Sequence, residues 1–549
     1  MNKNETQKTD KETISKKDSL NQAYDPMVGH PKRKLILAVM CLSLIVTVLD
    51  NSILNVAIPT ISETLKANDT DLIWIIDAYT IVFAGLLLTC GTLGDKFGRR
   101  LALQSGLFIF GAASFASSFA SSPLQLTMGR AIMGIGGALI MPATLSIITN
   151  VFPPKERGKA IGVWAAFAGV GVAIGPLTGG FLLEHFWWGS VFMVNVPFVI
   201  IGIFANLVMV PESKHEDSTK LDIVGAVLSV IGLSSLLYAI IFGAEESFAR
   251  TNVLTAFAIA FVTIVVFFIW ESKNDHAMLE LSFFKDKRFS SGALSITLLF
   301  FAMFGMSFLL SQYFQSVLGY SALKTGVAFI PFALGMIVSA PSSDKLSAKY
   351  GTKSTVITGL VLVTIALFSM STLEVNSSYL YAMWMMVTMS VGTGLTMAPA
   401  TSAIMNSVPR EKAGVGSAMN DTTRMVGGAL GLAIVGSIFS NFYRSALSTN
   451  VKLSAFYSSL TSNGVPGEVK SKMTEAISGS IGQAKYIAET QPSKVASKVI
   501  IDASRESFVN GLHAGVIAAG IATLIAIVIA FILMPQNSLT DSQHAGEIH

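Results

Sequence analysis

Fourteen long apolar runs occupy most of this chain of 549 residues. A helix rises about 1.5 Å per residue, so about 20 apolar residues are enough to cross the hydrocarbon core of a bilayer. Only 13% of the residues are charged, which is about half the usual fraction of a soluble domain. The sequence therefore predicts an all-α polytopic membrane protein with 14 transmembrane helices, near residues 35–58, 72–93, 101–120, 124–149, 158–182, 191–210, 221–242, 253–270, 290–311, 325–343, 354–372, 378–404, 413–439 and 512–534.

The basic residues are concentrated on one side of these runs. If the N-terminus lies inside the cell, the tail and the loops on that side hold 25 of the 38 Lys and Arg, whereas the short loops on the other side hold three. Because Lys and Arg are enriched in cytoplasmic loops, this asymmetry places both termini in the cytoplasm. The polar residues 1–33 are expected to form a disordered tail, and residues 536–549 a second cytoplasmic tail.

Two segments of the chain repeat at an offset of 256–257 residues. Residues 141–158 end the fourth run and open the fifth, and residues 398–414 do the same for the twelfth and thirteenth, with similar Pro-Ala-Thr and Pro-x-x-x-x-Gly patterns. The offset equals eight spans, which is six plus two. The chain therefore divides into a six-helix half (34–210), two inserted helices (211–275) and a second six-helix half (276–535). Repeated halves around a midplane site are a transporter architecture.

The second half contains the one long polar segment between runs, residues 440–511. The predicted topology makes it an extracellular loop between the thirteenth and fourteenth helices. Residues 468–478 and 493–506 have the apolar spacing of amphipathic helices. A small helical hairpin that caps the outer face and a mobile loop are both open interpretations.

Asp50 lies about two-thirds of the way along the first apolar run. A carboxylate at this depth costs at least about 2.5–3.5 kcal/mol, so it should face the interior of a helix bundle or a wet cavity. A carboxyl group in such surroundings can bind and release a proton. The alternative is a structural aspartate that is held by hydrogen bonds.

Asp77 and Arg130 lie at a depth similar to that of Asp50, roughly 8–12 Å from the outer ends of their runs. Binding of a proton by either aspartate could then compete with ion pairing of that aspartate to Arg130. Asp77 could instead be a wet interfacial residue next to Trp74.

Asp421 and Arg424 lie three residues apart in the thirteenth run, so they share one face of a helix. They are candidates for proton coupling in the second half, or they could simply satisfy each other.

Aromatic residues are scattered through the predicted interior. Aromatic faces attract organic cations, although lipid contact or core packing is the alternative for each ring. The candidate substrate-binding residues are Asp50, Asp77, Trp74, Tyr79, Phe83, Trp164, Phe304 and Tyr313, with Phe300 in the same region.

Two glycine-rich motifs are candidates for gating. The turn between the second and third runs combines glycines, which permit a tight reversal, with an acid and two arginines at the lipid surface. The fifth run carries small residues four apart, which let helices approach closely, and a proline that can kink the helix. The gating residues are Gly91, Asp95, Gly98, Arg99 and Arg100 in the turn, and Gly171, Gly175, Pro176, Gly179 and Gly180 in the fifth run.

These motifs resemble those of the major facilitator superfamily. Residues 91–100 resemble its loop 2–3 signature, Arg130 with Gly134 resembles its span-four motif, and residues 171–180 resemble the antiporter signature of its exporters. Residues 49–59 and 420–428 are similar to patterns of its fourteen-helix drug:proton antiporter branch. The similarity covers residues 34–535 and implies the major facilitator fold in a 6+2+6 arrangement.

The resemblance implies a proton-coupled antiporter that exports hydrophobic or cationic drugs and antiseptics across a bacterial cell membrane. Asp50 would bind the proton, Arg130 would modulate its proton affinity, and Asp77 would recognise cations or relay protons. The proton is the coupling ion, and no other cofactor is expected; the sequence has no G-x4-G-K-[ST] loop for ATP. No metal site, enzymatic activity or nucleic-acid partner is expected, and the protein should be monomeric in contact with membrane lipid.

Other functions remain open at this point. Within transport, the alternatives are a monovalent cation/proton antiporter and an exporter of a lipid or a peptide-like metabolite. From another class, the alternative is a transporter-like sensor that binds a ligand without moving it.

Overall fold

The computed structural model describes residues 28–213, 221–245, 247–274, 276–462, 466–491 and 493–536. Within these ranges the chain forms helices joined by short turns, and no β-strand. Helices suit an apolar medium because each backbone polar group is paired inside its own segment. The predicted tails, residues 1–33 and 536–549, lie outside the described residues except for residues 28–33 and residue 536.

A helix lies at each of the first six predicted spans. Local capping fixes where some of them begin: the side chain of Asn68 accepts a hydrogen bond from the backbone N–H of Asp71, and Ser122 caps a helix that opens with Pro123. The sixth span is divided into two helices. The helices are α1 (Arg33–Leu65), α2 (Asp69–Phe97), α3 (Arg99–Ser117), α4 (Pro123–Val151), α5 (Pro154–His185), α6 (Ser190–Met193) and α7 (Asn195–Met209).

The remaining predicted spans are also helical. The inserted pair consists of α8 (Ile223–Glu245) and α9 (Thr251–Glu271). The spans of the second half are α10 (Lys287–Gln312), α11 and α12 (Ala322–Ala328 and Ile330–Tyr350), α13 (Thr352–Met370), α14 (Tyr379–Asn406) and α15 (Ala413–Thr449). The last span lies in a long helix that is numbered below after three shorter ones.

Twelve helical segments of the described chain are long and apolar enough to cross a membrane. The two predicted spans outside this set are α3 and α14, which are helices of 19 and 28 residues. The protein is therefore a multi-pass, all-α membrane protein.

The two halves pack in the same pattern. In the first half α1 packs on α5, α2 and α3 pack on α4, and α3 packs on α7. In the second half the equivalent helices do the same: α10 packs on α15, and α12 and α13 pack on α14. Contacts between the halves are made mainly by the equivalent helices α5 and α15, where α5 meets α11, α12 and α14, and α15 meets α2 and α4. The inserted pair lies beside this interface, with α8 against α2 and α15.

The predicted loop 440–511 is largely helical. α15 continues to Thr449, and the last long helix begins at Lys494, so both extend well past the predicted span edges. The hydroxyl of Tyr443 donates a hydrogen bond to the carbonyl of Ile477, which ties the segment to α15. The structure thus favours the helical interpretation over a mobile loop. The predicted span edges fall short of the helix ends, because an apolar run marks where a helix leaves the membrane and not where the helix ends. The helices are α16 (Val451–Ser462), α17 (Gly467–Gly479), α18 (Ile481–Glu489) and α19 (Lys494–Leu533).

Candidate functional site

Asp50 is paired with a cation inside the first half. Its carboxylate on α1 forms an ion pair with the guanidinium of Arg130 on α4, and both side chains are almost completely buried. The amide Nδ2 of Asn195, at the start of α7, donates a second hydrogen bond of 3.0 Å to Asp50 Oδ1. The predicted proximity of Asp50 and Arg130 is therefore present in the structure, and Asp50 faces the bundle and not lipid.

Arg130 has further partners besides the carboxylate. Its Nε donates to the backbone carbonyl of Ile75 at 3.2 Å, and its Nη2 donates to Asn51 Oδ1 at 3.3 Å. The guanidinium also lies over the ring of Tyr79, 4.6 Å from the centroid, a geometry that adds a cation–π attraction. Breaking a buried pair by removing one charge typically costs about 3–5 kcal/mol. Protonation of Asp50 would have a related effect, because it would leave Arg130 with neutral partners only.

The sequence reasoning missed the polar residues that support this pair. Asn195 Nδ2 also contacts Ser114 Oγ at 3.2 Å, and Ser114 in turn donates to the carbonyl of Phe192 at 2.8 Å. These bonds connect α3, α6 and α7 to Asp50. An amide inside an apolar run costs free energy unless it is hydrogen-bonded, and this signal could have singled out Asn195.

Asp77 and Phe83 lie on the same helix as Tyr79. Asp77 is buried on α2. Phe83 stacks on Tyr79, with ring centroids 5.5 Å apart. Tyr79 and Phe83, one turn apart, therefore share the side of α2 next to Arg130, whereas Asp77, two residues before Tyr79, lies on a different side of the helix.

Trp74 lies in a different environment. It is 37% exposed, and its ring packs against Tyr238 and Phe242 of α8, at centroid distances of 6.0 and 5.1 Å. The structure therefore places Trp74 between α2 and the inserted pair.

The second charged pair, Asp421 and Arg424, is buried in α15. The distance from Arg424 Nη1 to Asp421 Oδ1 is 3.7 Å, longer than a hydrogen bond. Arg424 Nη2 donates to Thr401 Oγ1 on α14 at 3.1 Å, and Asn420 Nδ2 donates to Asp421 Oδ1 at 3.2 Å. These two residues satisfy each other only in part.

Arg424 also contacts aromatic rings from both halves. Its guanidinium carbon is 4.8 Å from the ring centroid of Trp164 on α5 and 5.3 Å from that of Phe300 on α10. Trp164 is completely buried, and its indole N–H donates to Thr144 Oγ1 at 3.2 Å. This contact between the halves was not predicted.

The internal repeat explains how this contact is built. Thr144 and Thr401 are equivalent positions in the two repeated segments. Thr144 accepts from Trp164, and Thr401 accepts from Arg424 and donates to Asn420. Each half thus uses the threonine at this repeat position to hold its own member of the Trp164–Arg424 contact.

Two further aromatic candidates lie in the second half. Phe304 is 41% exposed and packs on Phe300 at a centroid distance of 5.9 Å. Tyr313 is completely buried, and its hydroxyl donates to the carbonyl of Glu374 at 2.7 Å. Tyr313 therefore has a partner within its own half.

The turn motif joins the two halves at one face of the bundle. We call the face that carries the α2–α3, α4–α5 and α14–α15 turns the basic face. Asp95 accepts hydrogen bonds from the backbone N–H groups of Gly414 (2.8 Å) and Val415 (3.1 Å). These groups open α15, whose positive end favours a carboxylate. Asp95 thus caps a helix of the other half.

Arg99 completes this connection. It pairs with Asp95 at 2.7 Å and donates to the backbone carbonyl of Arg410 at 2.6 Å. Gly91 permits the approach, because a Cβ there would lie 2.5 Å from the carbonyl oxygen of Gly414. A second bond across the halves runs from Arg157 to Asn406. The basic face is therefore closed.

Gly98 and Arg100 act within the first half. Gly98 has φ of +121°, a conformation that favours glycine, and it turns the chain from α2 into α3. Arg100 donates to the carbonyl of Leu207 at 2.6 Å. The equivalent turn of the second half uses Gly351, whose φ is +88°.

The glycine motif of α5 has two faces. A Cβ at Gly171 would lie 2.7 Å from Val48, and one at Gly175 would lie 2.1 Å from Ser52, so both glycines permit close contact with α1 beside Asp50. Gly179 faces Ile53, which also belongs to α1. On the other face, Pro176 and Gly180 approach Gly326 and Leu323 of α11 in the second half. The motif therefore holds α1 and α11 against α5.

The chain belongs to the major facilitator superfamily. The sequence model of the Major Facilitator Superfamily matches residues 40–432 of this chain. The fold agrees, since the solved structure of the human organic anion transporter MFSD10 (TETRAN) has a TM-score of 0.60 over 91% of this chain and 100% of that chain, at 12% identity.

Two curated proteins are similar over nearly the whole chain. The multidrug efflux pump LfrA of Mycolicibacterium smegmatis is 32% identical over 89% of this chain and 94% of its own length. The methyl viologen resistance protein SmvA of Salmonella typhimurium is 30% identical over 88% of this chain and 95% of its own length. The chain is therefore a relative of bacterial efflux proteins.

Proposed function

We propose that the protein is a proton-coupled antiporter that exports hydrophobic or cationic drugs and antiseptics by alternating access. The buried ion pair of Asp50 and Arg130 is the observation on which the proposal chiefly rests. A carboxylate in this position can exchange a proton only by changing its bonds to Arg130 and Asn195. Each protonation therefore alters the packing of α1 against α4 and α7.

The closed basic face supports an order for the cycle. With that face in the cytoplasm, as the distribution of basic residues predicts, the structure corresponds to a state closed to the cytoplasm. Proton binding to Asp50 from outside would release Arg130 and favour separation of Asp95 from α15. Substrate binding from the cytoplasm and proton release would restore the starting state. The membrane potential contributes about 2.3 kcal/mol per charge per 100 mV, besides the pH gradient.

Substrate-dependent proton flux in proteoliposomes tests the proposal. Wild-type protein should release protons from an acidic lumen when ethidium or methyl viologen is added, and should accumulate the compound against its gradient. Asp50→Asn should abolish accumulation, because the amide cannot exchange a proton. Glu468→Gln, on an exposed acid of α17, should behave as wild type. Uphill accumulation that survives in Asp50→Asn would contradict the proposed coupling.

The same assay separates the alternatives. Proton release caused by Na⁺ or K⁺, and not by organic cations, would indicate a monovalent cation/proton antiporter. Binding without any flux would indicate a sensor. Both termini in the cytoplasm and a monomeric state are further parts of the proposal, and protease accessibility of tagged termini tests the first.

A further inference from the structure

The guanidinium of Arg424 occupies a position suited to an organic cation. It lies over the rings of Trp164 and Phe300, at 4.8 and 5.3 Å from their centroids. Both rings and the arginine are at least nine-tenths buried, which excludes water and strengthens the attraction of a ring face for positive charge. The two rings come from α5 and α10, hence from different halves.

Arg424 occupies this position at the expense of its own ion pair. The distance to Asp421 is 3.7 Å, and neither Arg424 Nε nor Asp421 Oδ2 has a hydrogen-bond partner, although both atoms are buried. Buried polar groups are normally hydrogen-bonded, and buried charges more so. In a position closer to Asp421, the guanidinium would complete this pair and give both unpartnered atoms a hydrogen bond.

We propose that Trp164 and Phe300 form the binding site for the positive charge of an organic cation, and that Arg424 occupies this site when no substrate is bound. This inference rests on the proposed function and specifies its substrate chemistry. An entering cation takes the place of the guanidinium over the rings. Arg424 then completes its hydrogen bonds with Asp421, which offsets the lost ring contacts.

The exchange also changes a contact between the halves. Trp164 belongs to the first half and Arg424 to the second. When the substrate displaces the guanidinium, the direct link from α15 to α5 is lost and the ligand becomes the bridge. Substrate binding thereby alters the interface that must rearrange in alternating access.

Equilibrium binding of tetraphenylphosphonium to the full chain in nanodiscs tests this competition. The comparison is between Asp421→Asn and the double variant Asp421→Asn with Arg424→Gln, so that no unpaired carboxylate is created. Removing the internal competitor should raise the affinity for tetraphenylphosphonium by about threefold or more. The affinity for triphenylphosphine oxide, an uncharged molecule of similar shape, should change by less than about twofold. An equal or lower affinity for the cation in the double variant would overturn the inference.

The rings supply the matched control. In a Trp164→Leu background, the same removal of Arg424 should give no gain, because the face that the cation would use is absent. A gain of the same size without Trp164 would show that Arg424 acts through general repulsion, and would also overturn the inference. If the protein with Arg424→Gln is not monodisperse, Arg424→Met takes its place in the double variant. Methionine is an apolar residue of similar length, and such a residue can substitute for a buried charged one.

Failure of this inference can be distinguished from failure of the proposed function. If wild-type protein exports tetraphenylphosphonium with proton coupling, and the double variant shows no gain in affinity, only the competition by Arg424 is wrong. If no variant binds or moves any organic cation or uncharged hydrophobic drug, both are wrong.

Discussion

Arg130 is held by more bonds than its charge alone requires. The carboxylate of Asp50 neutralises it, while the carbonyl of Ile75, the amide of Asn51 and the ring of Tyr79 fix the plane of the guanidinium. A planar group with several N–H donors can use all of these partners at once, and an ammonium cannot. The geometry, and not only the charge, is therefore specified.

Arg130→Lys should consequently fail although it keeps the charge. We expect drug-driven proton flux to fall at least about tenfold, and the free energy of unfolding to fall by about 1–3 kcal/mol, because the buried carbonyl of Ile75 loses its donor. Flux in proteoliposomes and thermal unfolding in detergent measure the two effects.

Arg33→Lys is the control for this substitution. Arg33 forms a bidentate pair with Glu156, but the pair is partly exposed, so the change in stability should be much smaller than that of Arg130→Lys. Equal effects of the two substitutions would mean that the planar geometry at Arg130 is unimportant.

At the scale of helices, the glycine motif of α5 predicts unequal effects of the same substitution. Gly175→Ala would place a Cβ 2.1 Å from that of Ser52, two residues after Asp50, whereas Gly179→Ala would meet Ile53 only at ordinary contact distance. We expect Gly175→Ala to lower the free energy of unfolding by about 1–3 kcal/mol and to impair transport. Gly179→Ala should be neutral or stabilising by up to about 1 kcal/mol, because alanine favours helix.

Thermal unfolding and export assays of the two glycine variants check this order. Comparable losses in both would indicate that the motif acts through helix flexibility and not through the close approach of α1.

An ion pair between Glu280 and Lys412, the residue before α15, is sensitive to acid. A hydrogen bond from the Lys412 ammonium, 2.6 Å from Glu280 Oε1, holds the pKa of that carboxyl below its usual range. The stabilisation is fully present above the unfolded-state pKa of about 4.3 and is lost as pH falls through the lower folded value. Wild type should therefore melt at a higher temperature than Glu280→Gln at pH 7, and the difference should shrink and disappear as the pH falls through the lowered folded-state pKa. A difference that persists in acid would contradict this origin.

At the scale of the whole molecule, the closed basic face depends on a few polar contacts between the halves. Asp95→Asn should loosen it, because a neutral side chain binds the positive end of α15 less strongly and loses its pairing with Arg99. Spin labels at positions 155 and 345, which are exposed on α5 and α12, should move apart in this variant, with a distance distribution shifted to longer values.

Arg100→Gln is the matched control for the spin-label measurement. Its side chain bonds to Leu207 within the first half, so the distance between positions 155 and 345 should not change. A shift of equal size in both variants would mean that loss of any charge in this turn, of either sign, opens this face.

Much of this organisation was predictable from sequence, for definite physical reasons. The cost of charge in hydrocarbon marks Asp50 and Arg130, and apolar length locates the helices. Contacts across the halves were not predictable, since no local pattern reports that Arg424 meets Trp164 over a separation of 260 residues. Helix ends beyond the membrane were missed as well, because α15 stays helical to Thr449 after its apolar run has ended.

The length of α15 has a consequence for inhibition. Its 37 residues, about 55 Å of continuous helix, carry the groups bound by Asp95 at one end, Arg424 about a third of the way along and Tyr443 near the other end. A nanobody that binds the exposed Phe442, next to Tyr443, together with α17 should immobilise the whole helix. Because the distribution of basic residues predicts that this end lies outside the cell, such a molecule should block transport without entering the bacterium, and would thereby avoid being expelled by its own target.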